Sequence, residues 1–363
     1  MATSSSRRRL LHHLDVVQRA WDDLGDGRAM VHVVEVSAFV STNHVYRVRL
    51  DDGSHVIAKV SNYGSYYMFR EDHDRLHRCV EQLATTRFAG FMADVLTKGG
   101  RVYTFYDGLA WAAFYHEVER RESLPRILTE AQVDNAAEEV AGFHLACADA
   151  ARHMPVSSKS IKSDAVHLLD LLTAGNASRK FAVSAEDRAF LARQTEGFLA
   201  GLDSVAYDTW PKIPVLIDWN LGNFSVSTDP GSNGSSDRFH LFSRWDYDWF
   251  RIDTRLLDFY FLSRVSSRTG DRTHFTYSSH TLLEPRFVRF LQAYHRVMPL
   301  TATEVCFLKE AYRFFILNYV VREGGAFFAG DLLARLQHEA VNTYLPALDA
   351  LDLGPLVEAL GLG

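Results

Sequence analysis

One stretch of this sequence combines an apolar run with polar side chains in a short loop: Val215-Leu216-Ile217-Asp218-Trp219-Asn220-Leu221-Gly222-Asn223. The apolar residues at its start predict a short buried strand, and Gly222 is typical of a turn. Asp218 follows the strand directly, and Asn223 comes five residues later. A loop of this length can curl so that the carboxylate and the amide face the same pocket.

A second acidic segment lies downstream of this loop. Two apolar runs, Phe224-Ser225-Val226 and Phe239-His240-Leu241-Phe242, predict a pair of strands, and the polar, Gly-rich residues 227–238 between them predict an exposed hairpin tip. Asp246 comes a few residues after the second strand, with Asp248 as its near neighbour. The segment therefore predicts a second acidic loop at the end of a strand.

Two strands that are joined by a hairpin and flanked by acidic loops would bring Asp218, Asn223 and Asp246 into one pocket. Carboxylate and amide oxygens are ligands that Mg2+ prefers in proteins, so Asn223 and Asp246 predict a Mg2+ site. Phosphoryl transfer requires a cation on the phosphates, a bound metal and a carboxylate that faces the acceptor hydroxyl. The set is therefore typical of phosphoryl-transfer chemistry, although each residue alone could be an ordinary turn or cap residue.

The order of predicted elements indicates an α+β chain. Residues 10–24 carry apolar side chains at helical spacing. Alternating apolar runs follow, with the turn Asp51-Asp52-Gly53 predicting a hairpin, and only residues 69–83 return to helical spacing before residue 118. We therefore expect three parts, which are an N-terminal helical extension (1–29), a small antiparallel β lobe with one helix (30–118) and a larger, mainly helical lobe (119–363).

The composition narrows the function classes. It is 47% hydrophobic, 12% aromatic and 23% charged, as in ordinary globular enzymes. A net charge of −6 provides no electrostatic reason to expect nucleic acid or anionic membrane as a partner. The three cysteines are far apart and form no CxxC pair, which favours a reducing compartment. No apolar run reaches membrane-spanning length, and the Ser/Arg-rich N-terminus is interpreted as a frayed tail, so we expect a cytoplasmic enzyme.

The ordered motifs resemble the aminoglycoside phosphotransferase and choline kinase superfamily. Its members carry an aspartate-x4-asparagine loop, matched by Asp218 and Asn223, and then an Ile-Asp-Trp-Asp-like string, matched by Arg244-Trp245-Asp246-Tyr247-Asp248. Residues 253–258 match the acidic tail that follows this string. The resemblance covers residues from about 30 to 260 in order. It implies a bilobal, protein-kinase-like fold and transfer of the γ-phosphate of ATP or GTP to a hydroxyl of a small molecule.

The resemblance also implies roles for residues of the β lobe. Lys59 would contact the α- and β-phosphates, and Glu71 would orient it, with Asp72 as the alternative. Each residue also has an alternative interpretation without a function. Lys59 could be an exposed charge on an edge strand, and Glu71 could lie on a solvated helix face. The remaining nucleotide contacts would come from Ser41, Thr42 and Asn43 at the phosphates and from backbone groups of Glu117 and Val118 at the base.

In the helical lobe, the resemblance assigns Asp218 to the acceptor hydroxyl and Asn223 and Asp246 to Mg2+. Asp248 is either a second metal ligand or a structural partner. Two departures stand out. Leu216 occupies a position where many members have a histidine, and the phosphate-covering segment, residues 37–43, contains no glycine. These departures favour, as an alternative function, a pseudokinase that binds nucleotide as a scaffold.

Two further features allow more than one interpretation, and His144 has one expected role. The aromatic residues between 245 and 261 could hold a cationic amine or pack the core, so the acceptor is left as an amino alcohol, a sugar or an aminoglycoside-like compound. His73 and His77 have a spacing that could bind zinc, but no third ligand is evident and a surface pair is the expected reading. His144 lies at a position where the superfamily that the chain resembles often has a packed histidine, so it is expected to be a structural residue.

Overall fold

The computed structural model describes residues 4–37, 41–155, 157–177, 181, 183–228, 238–270 and 277–363, with the backbone alone for residues 4–12. The chain divides into two compact units. Unit 1 comprises Met1–Ala84 and Ala89–Glu119, and unit 2 comprises Thr85–Phe88 and Arg120–Gly363. No described helix is long and apolar enough to cross a membrane.

The elements of unit 1 are α1 (Ser4–Leu24), β1 (Met30–Glu35), β2 (Asn43–Leu50), β3 (His55–Ser61), α2 (Tyr66–Leu83), β4 (Thr97–Lys98), β5 (Arg101–Val102), β6 (Phe105–Tyr106) and β7 (Trp111–His116). Five of the strands form an antiparallel sheet with the order β1-β2-β3-β7-β6. The turn between β2 and β3 includes Gly53 at φ +84°, a conformation that favours glycine, and it closes the hairpin that Asp51-Asp52-Gly53 predicts.

Helix α1 packs on this sheet. Its apolar stripe includes Val17 and Trp21, which are buried in one core cluster with Val48, Ala58 and Phe114 of the sheet. The Trp21 and Phe114 rings meet edge to face, with centroids 5.1 Å apart, an arrangement that aromatic pairs prefer. The stripe that predicts a helix in residues 10–24 is therefore the face that the helix buries.

Unit 2 is mainly helical. Its elements through the second sheet are α3 (Glu130–Ala151), α4 (Ile161–Thr173), α5 (Ala185–Ser204), β8 (Ile213–Val215), β9 (Phe224–Thr228), β10 (Phe239–Arg244) and β11 (Arg251–Asp253). The strands form two small two-stranded sheets, β8 with β11 and β9 with β10. Capping boxes begin α3 at Thr129, α5 at Ser184 and a later helix, Ala302–Phe315, at Thr301, so the sequence signatures at Thr129 and Thr301 are confirmed.

After β11, the described residues of unit 2 form helices and the loops that connect them. They contain α6 (Phe259–Val265), α7 (Pro285–Val297), α8 (Ala302–Phe315), α9 (Gly324–Phe327), α10 (Gly330–Glu339), α11 (Leu345–Asp349) and α12 (Gly354–Ala359), with π-helical segments at Ile316–Arg322 and Ala340–Tyr344. Residues 229–237, most of the expected hairpin tip, lie outside the described residues. The mixed composition, with an antiparallel sheet in one unit and helices dominating the other, matches the expected α+β class.

A buried ion network joins β11 to the helices of unit 2. Arg251, which is 3% exposed, lies 2.9 Å from Asp164 near the start of α4, and Arg322 lies 2.9 Å from the other oxygen of Asp164. Burial alone would raise the pKa of Asp164, but the two arginines outweigh it and lower that pKa. Asp164 is therefore a charged cross-link that holds three segments together.

Candidate active site

The loop between β8 and β9 has an unusual backbone at Ile217. This residue has φ +58°, which is a rare conformation for a β-branched side chain. Two tight turns surround it, because the Asp218 N–H donates to the Leu216 carbonyl at 2.7 Å and the Trp219 N–H donates to the Ile217 carbonyl at 3.0 Å. The backbone immediately before Asp218 is therefore strained, and surrounding contacts must hold it.

Asp258 provides such a contact. Its Oδ1 accepts from the Ile217 N–H at 2.6 Å, and its Oδ2 lies 2.8 Å from His144 Nε2. His144 Nδ1 lies 2.7 Å from the Tyr294 hydroxyl, and all three side chains have no exposed surface. A buried carboxylate with fixed partners on both oxygens anchors the strained turn. The expectation that His144 is a packed structural residue agrees with this arrangement.

Hydrogen bonds within the loop link Asp218 to Asn220 and to Asn223. The Asp218 side chain accepts from the Asn220 N–H at 3.2 Å, and Asn223 Nδ2 donates to the Asp218 carbonyl at 3.4 Å. The loop ends in a short 3-10 turn, Leu221–Asn223. Since the amide nitrogen of Asn223 points back at the loop, its Oδ1 is the atom that can accept a cation. Both side chains are half-buried and so reachable from solvent.

The segment after β10 lies directly against this loop. The Trp245 N–H donates to the Asn223 carbonyl at 3.2 Å, which continues the β9–β10 pairing past Phe224 and Arg244. Asp246 is half-buried, and its Oδ1 accepts from the Asp248 N–H at 3.1 Å. The structure thus brings the Asp218–Asn223 loop and the Asp246 loop together, as the hairpin argument predicts.

Unit 1 contains the expected phosphate-contacting lysine in the middle of its sheet. Lys59 lies on β3, paired with Val45 on one side and Ala113 on the other, and is 8% exposed. The alternative reading of Lys59 as an exposed charge on an edge strand is wrong, because β3 is a central strand. The contact of Lys59 with the phosphates stays a prediction.

Glu71 lies on α2 in unit 1 and is half-buried, with 29% of its side chain exposed. It accepts a hydrogen bond from the buried Arg75 one turn later on the same helix. Because Glu71 shares its helix face with the buried Arg75, it does not lie on a fully solvated face, which was the alternative interpretation of this residue. Its role in orienting Lys59 stays a prediction.

The other expected nucleotide contacts also lie in unit 1. Ser41, Thr42 and Asn43 are linked by short polar contacts: Ser41 Oγ donates to the Asn43 carbonyl at 2.9 Å, and Asn43 Nδ2 donates to Thr42 Oγ1 at 3.2 Å. Residues 38–40 of the same segment lie outside the described residues. Glu117 is exposed and binds Arg47 with both carboxylate oxygens, and Val118 follows it near the end of unit 1.

The donor set fits a Mg2+ ion that is shared with a nucleotide. Among the described residues, no group of three or more His, Cys, Asp and Glu side chains is arranged to hold a metal alone. Asn223 and Asp246 offer one amide and one carboxylate, on loops joined by a backbone hydrogen bond. Mg2+ is commonly held by one or two protein oxygens together with phosphates and water, so this pair is suitable.

The structure corrects the interpretation of His73 and favours core packing for the aromatic residues between 245 and 261. His73 is 5% exposed and lies 2.6 Å from the Tyr115 hydroxyl, so the expected surface pair with His77 is wrong. The reason is that His73 is on the helix face that packs inward. Most of the aromatic residues between 245 and 261 pack the core, since Tyr247, Phe250, Phe259 and Tyr260 are all buried.

Sequence reasoning did not assign a role to Arg244 or recognise Asp258 as the anchor of Ile217. Arg244 is fully buried, and its Nη2 donates to the Asp218 carbonyl at 2.7 Å. One sequence feature could have indicated both residues, because each is a charge within or at the end of an apolar run. The runs are Leu241-Phe242-Ser243-Arg244-Trp245 and Leu256-Leu257-Asp258-Phe259. A charge in such a position is seldom buried without a specific partner.

Neither a family model nor a curated protein sequence matches this chain. Several solved structures, however, are similar to it. Amicoumacin kinase hAmiN, in complex with AMP-PNP, Ca2+ and Ami, has a TM-score of 0.58 at 13% identity, covering 89% of this chain and 90% of its own. A microcompartment-associated aminopropanol kinase has a TM-score of 0.57 at 16% identity, with 96% and 99% covered, and a macrolide 2'-phosphotransferase type I has 0.50 at 13%, with 94% and 99% covered. These likenesses establish a shared fold.

Proposed function

Given a chain with the fold of the kinase-like small-molecule phosphotransferases, we propose that it transfers the γ-phosphoryl group of ATP or GTP to a hydroxyl of a small molecule. The observation that carries the proposal is the joining of two polar loops in unit 2. The loop of Asp218 and Asn223 is bonded through the Trp245 N–H to the loop of Asp246. Phosphoryl transfer is catalysed mostly by positioning and by charge stabilisation, and these loops supply the groups for both.

Each residue has a definite task in this proposal. Asp218 orients the acceptor hydroxyl and accepts its proton. Asn223 Oδ1 and the Asp246 carboxylate hold Mg2+, which supplies charge neutralisation at the phosphates when it is bound. Lys59 binds the α- and β-phosphates and Glu71 orients it. Ser41, Thr42, Asn43 and the backbone of Glu117 and Val118 complete the nucleotide contacts.

The names of the fold neighbours and the aromatic residues that remain accessible support a proposal for the acceptor class. The neighbours are described as kinases of amicoumacin and aminopropanol and as a macrolide phosphotransferase. We propose an amino alcohol, a sugar or an aminoglycoside-like compound as the acceptor, with Mg2+ and no nucleic acid or membrane partner. The cysteines at 79, 147 and 306 are all free, which supports the proposed cytoplasmic location.

The test is turnover of ATP and GTP with Mg2+ and a panel of amino alcohols, sugars and aminoglycosides, followed by mass spectrometry of the acceptor. Asp218→Asn should lower kcat by about 10²–10⁴-fold, the usual contribution of a positioned proton acceptor. Asp170→Asn, on the exposed face of α4, is the matched control and should keep wild-type turnover. Full activity in Asp218→Asn would contradict the assignment. Nucleotide binding without turnover for any acceptor would instead favour the pseudokinase alternative.

A further inference from the structure

Arg244 is an unusual residue for the centre of unit 2. It is the last residue of β10 and has no exposed surface. Its Nη2 donates to the Asp218 carbonyl at 2.7 Å, and its guanidinium carbon lies 5.5 Å from the Trp219 ring centroid and 6.0 Å from that of Tyr247. A permanently charged group is thus enclosed by aromatic rings and backbone directly behind Asp218.

The charge of Arg244 is poorly compensated. Its Nε and Nη1 have no hydrogen-bond partner among the residues that the structure describes, and no Asp or Glu in that set forms a salt bridge with it. Arg251 is a useful contrast in the same unit, because it is equally buried but lies 2.9 Å from Asp164 and 3.5 Å from Asp253. Burial of a cation without a carboxylate lowers stability, and an apolar side chain of similar volume would be neutral or better there.

The contacts of Arg244 connect the two loops of the site. Its backbone pairs with Phe224, the residue after Asn223, and its carbonyl accepts from the Tyr247 hydroxyl at 2.6 Å. Its side chain meanwhile holds the Asp218 carbonyl. One residue therefore binds the loop that contains Asp218 and Asn223 and also the loop that contains Asp246.

We propose that Arg244 is a positioning residue, retained at a cost to stability because its guanidinium fixes the Asp218 peptide. The Asp218 carbonyl accepts from Arg244 Nη2 at 2.7 Å and from Asn223 Nδ2 at the longer distance of 3.4 Å, and the shorter bond limits the rotation of the backbone that bears the carboxylate. The rigid, planar guanidinium suits this task, since its orientation is set by the aromatic neighbours. This inference rests on the proposed function, because it assigns Arg244 to the geometry of Asp218.

The experiment compares three variants with the wild type. Arg244→Met has a similar side-chain volume but cannot form the hydrogen bonds, and Arg244→Lys keeps a donor. Arg251→Met is the control for the loss of a buried arginine. Thermal midpoints, kcat and nucleotide KM are measured for the full chain, and amide hydrogen exchange is followed in peptides that span residues 216–224. We expect Arg244→Met to lower kcat by about 10²-fold, the loss that a small misplacement causes, with nucleotide KM changed less than about threefold and an unchanged or raised midpoint.

Exchange in residues 216–224 should be faster in Arg244→Met, and Arg244→Lys should recover both exchange protection and most of kcat. Arg251→Met should lower the midpoint, as expected for a broken ion pair. The inference is overturned if Arg244→Met keeps kcat within about threefold of wild type and wild-type exchange, or if its midpoint falls as far as that of Arg251→Met. If no acceptor supports turnover in the wild type, the proposed function fails, whereas the exchange and midpoint measurements still decide whether Arg244 holds the loop.

Discussion

Asp258→Ala should both destabilise the protein and remove the proposed activity, because Asp258 accepts the hydrogen bond of the N–H of the strained Ile217. The substitution leaves that buried N–H and the buried His144 ring nitrogen without their partner. Each unsatisfied buried group costs about 1–3 kcal/mol, and two such groups are left. We therefore expect a loss of about 2–6 kcal/mol in the free energy of unfolding, with the loop relaxing away from φ +58° at Ile217.

Asp258→Asn is the matched variant. Its side-chain oxygen can still accept from the Ile217 N–H, and its NH2 group can donate to His144 Nε2 if the imidazole proton moves to Nδ1, which already faces the Tyr294 hydroxyl. The neutral amide should therefore cost only about 1–2 kcal/mol, the worth of one weakened hydrogen bond to a charged group.

The assay is urea unfolding of the full chain, followed by the fluorescence of the tryptophans, together with turnover under the conditions that support the wild type. Trp219 reports directly, because it lies two residues from Ile217 and packs edge to face on Phe143 and Phe224. The reasoning is refuted if Asp258→Ala unfolds within about 1 kcal/mol of wild type, or if Asp258→Asn is as unstable as Asp258→Ala, since the loss would then not come from the hydrogen bonds.

Three further substitutions test separate parts of the structure. Asp164→Asn removes the carboxylate that the buried Arg251 shares with the mostly buried Arg322 and should cost about 3–5 kcal/mol at neutral pH, whereas the exposed Asp170→Asn should cost almost nothing. Because the folded-state pKa of Asp164 is lowered, its contribution is fully present above the ordinary aspartate pKa of about 3.9 and is lost as the pH falls through the lowered folded-state pKa. Urea titrations of the variant and the wild type should therefore converge in acid. Lys59→Ala should lower kcat/KM for the nucleotide by about 10²–10³-fold through lost charge stabilisation, and the exposed Lys98→Ala should not; equal kinetics for the two variants would exclude a phosphate contact for Lys59. Asp246→Asn should raise the Mg2+ concentration for half-maximal turnover by at least about tenfold, and an unchanged Mg2+ dependence would remove Asp246 from the metal site.

Short-range patterns in the sequence predict much of what the structure contains. The Asp-Gly turn after β2, the capping boxes at Thr129 and Thr301, and the acidic loops after β8 and β10 all depend on residues within a few positions of one another. Backbone preference and local hydrogen bonding act over this distance, so these features can be read from the chain. The same patterns predict which polar residues the two loops of unit 2 bring together.

Tertiary structure alone decides how the Asp218 loop is held. The anchor joins His144 to Asp258, which are 114 residues apart, and Asp258 in turn holds Ile217, which is 41 residues away. The sequence shows Arg244 only as a charge at the end of an apolar run, and its contact with the Asp218 carbonyl exists only once β9 and β10 pair. Burial makes such contacts strong, because an unsatisfied polar group inside a protein costs far more than the same group in water. Which groups become buried together depends on the packing of distant segments, and no local pattern contains that information.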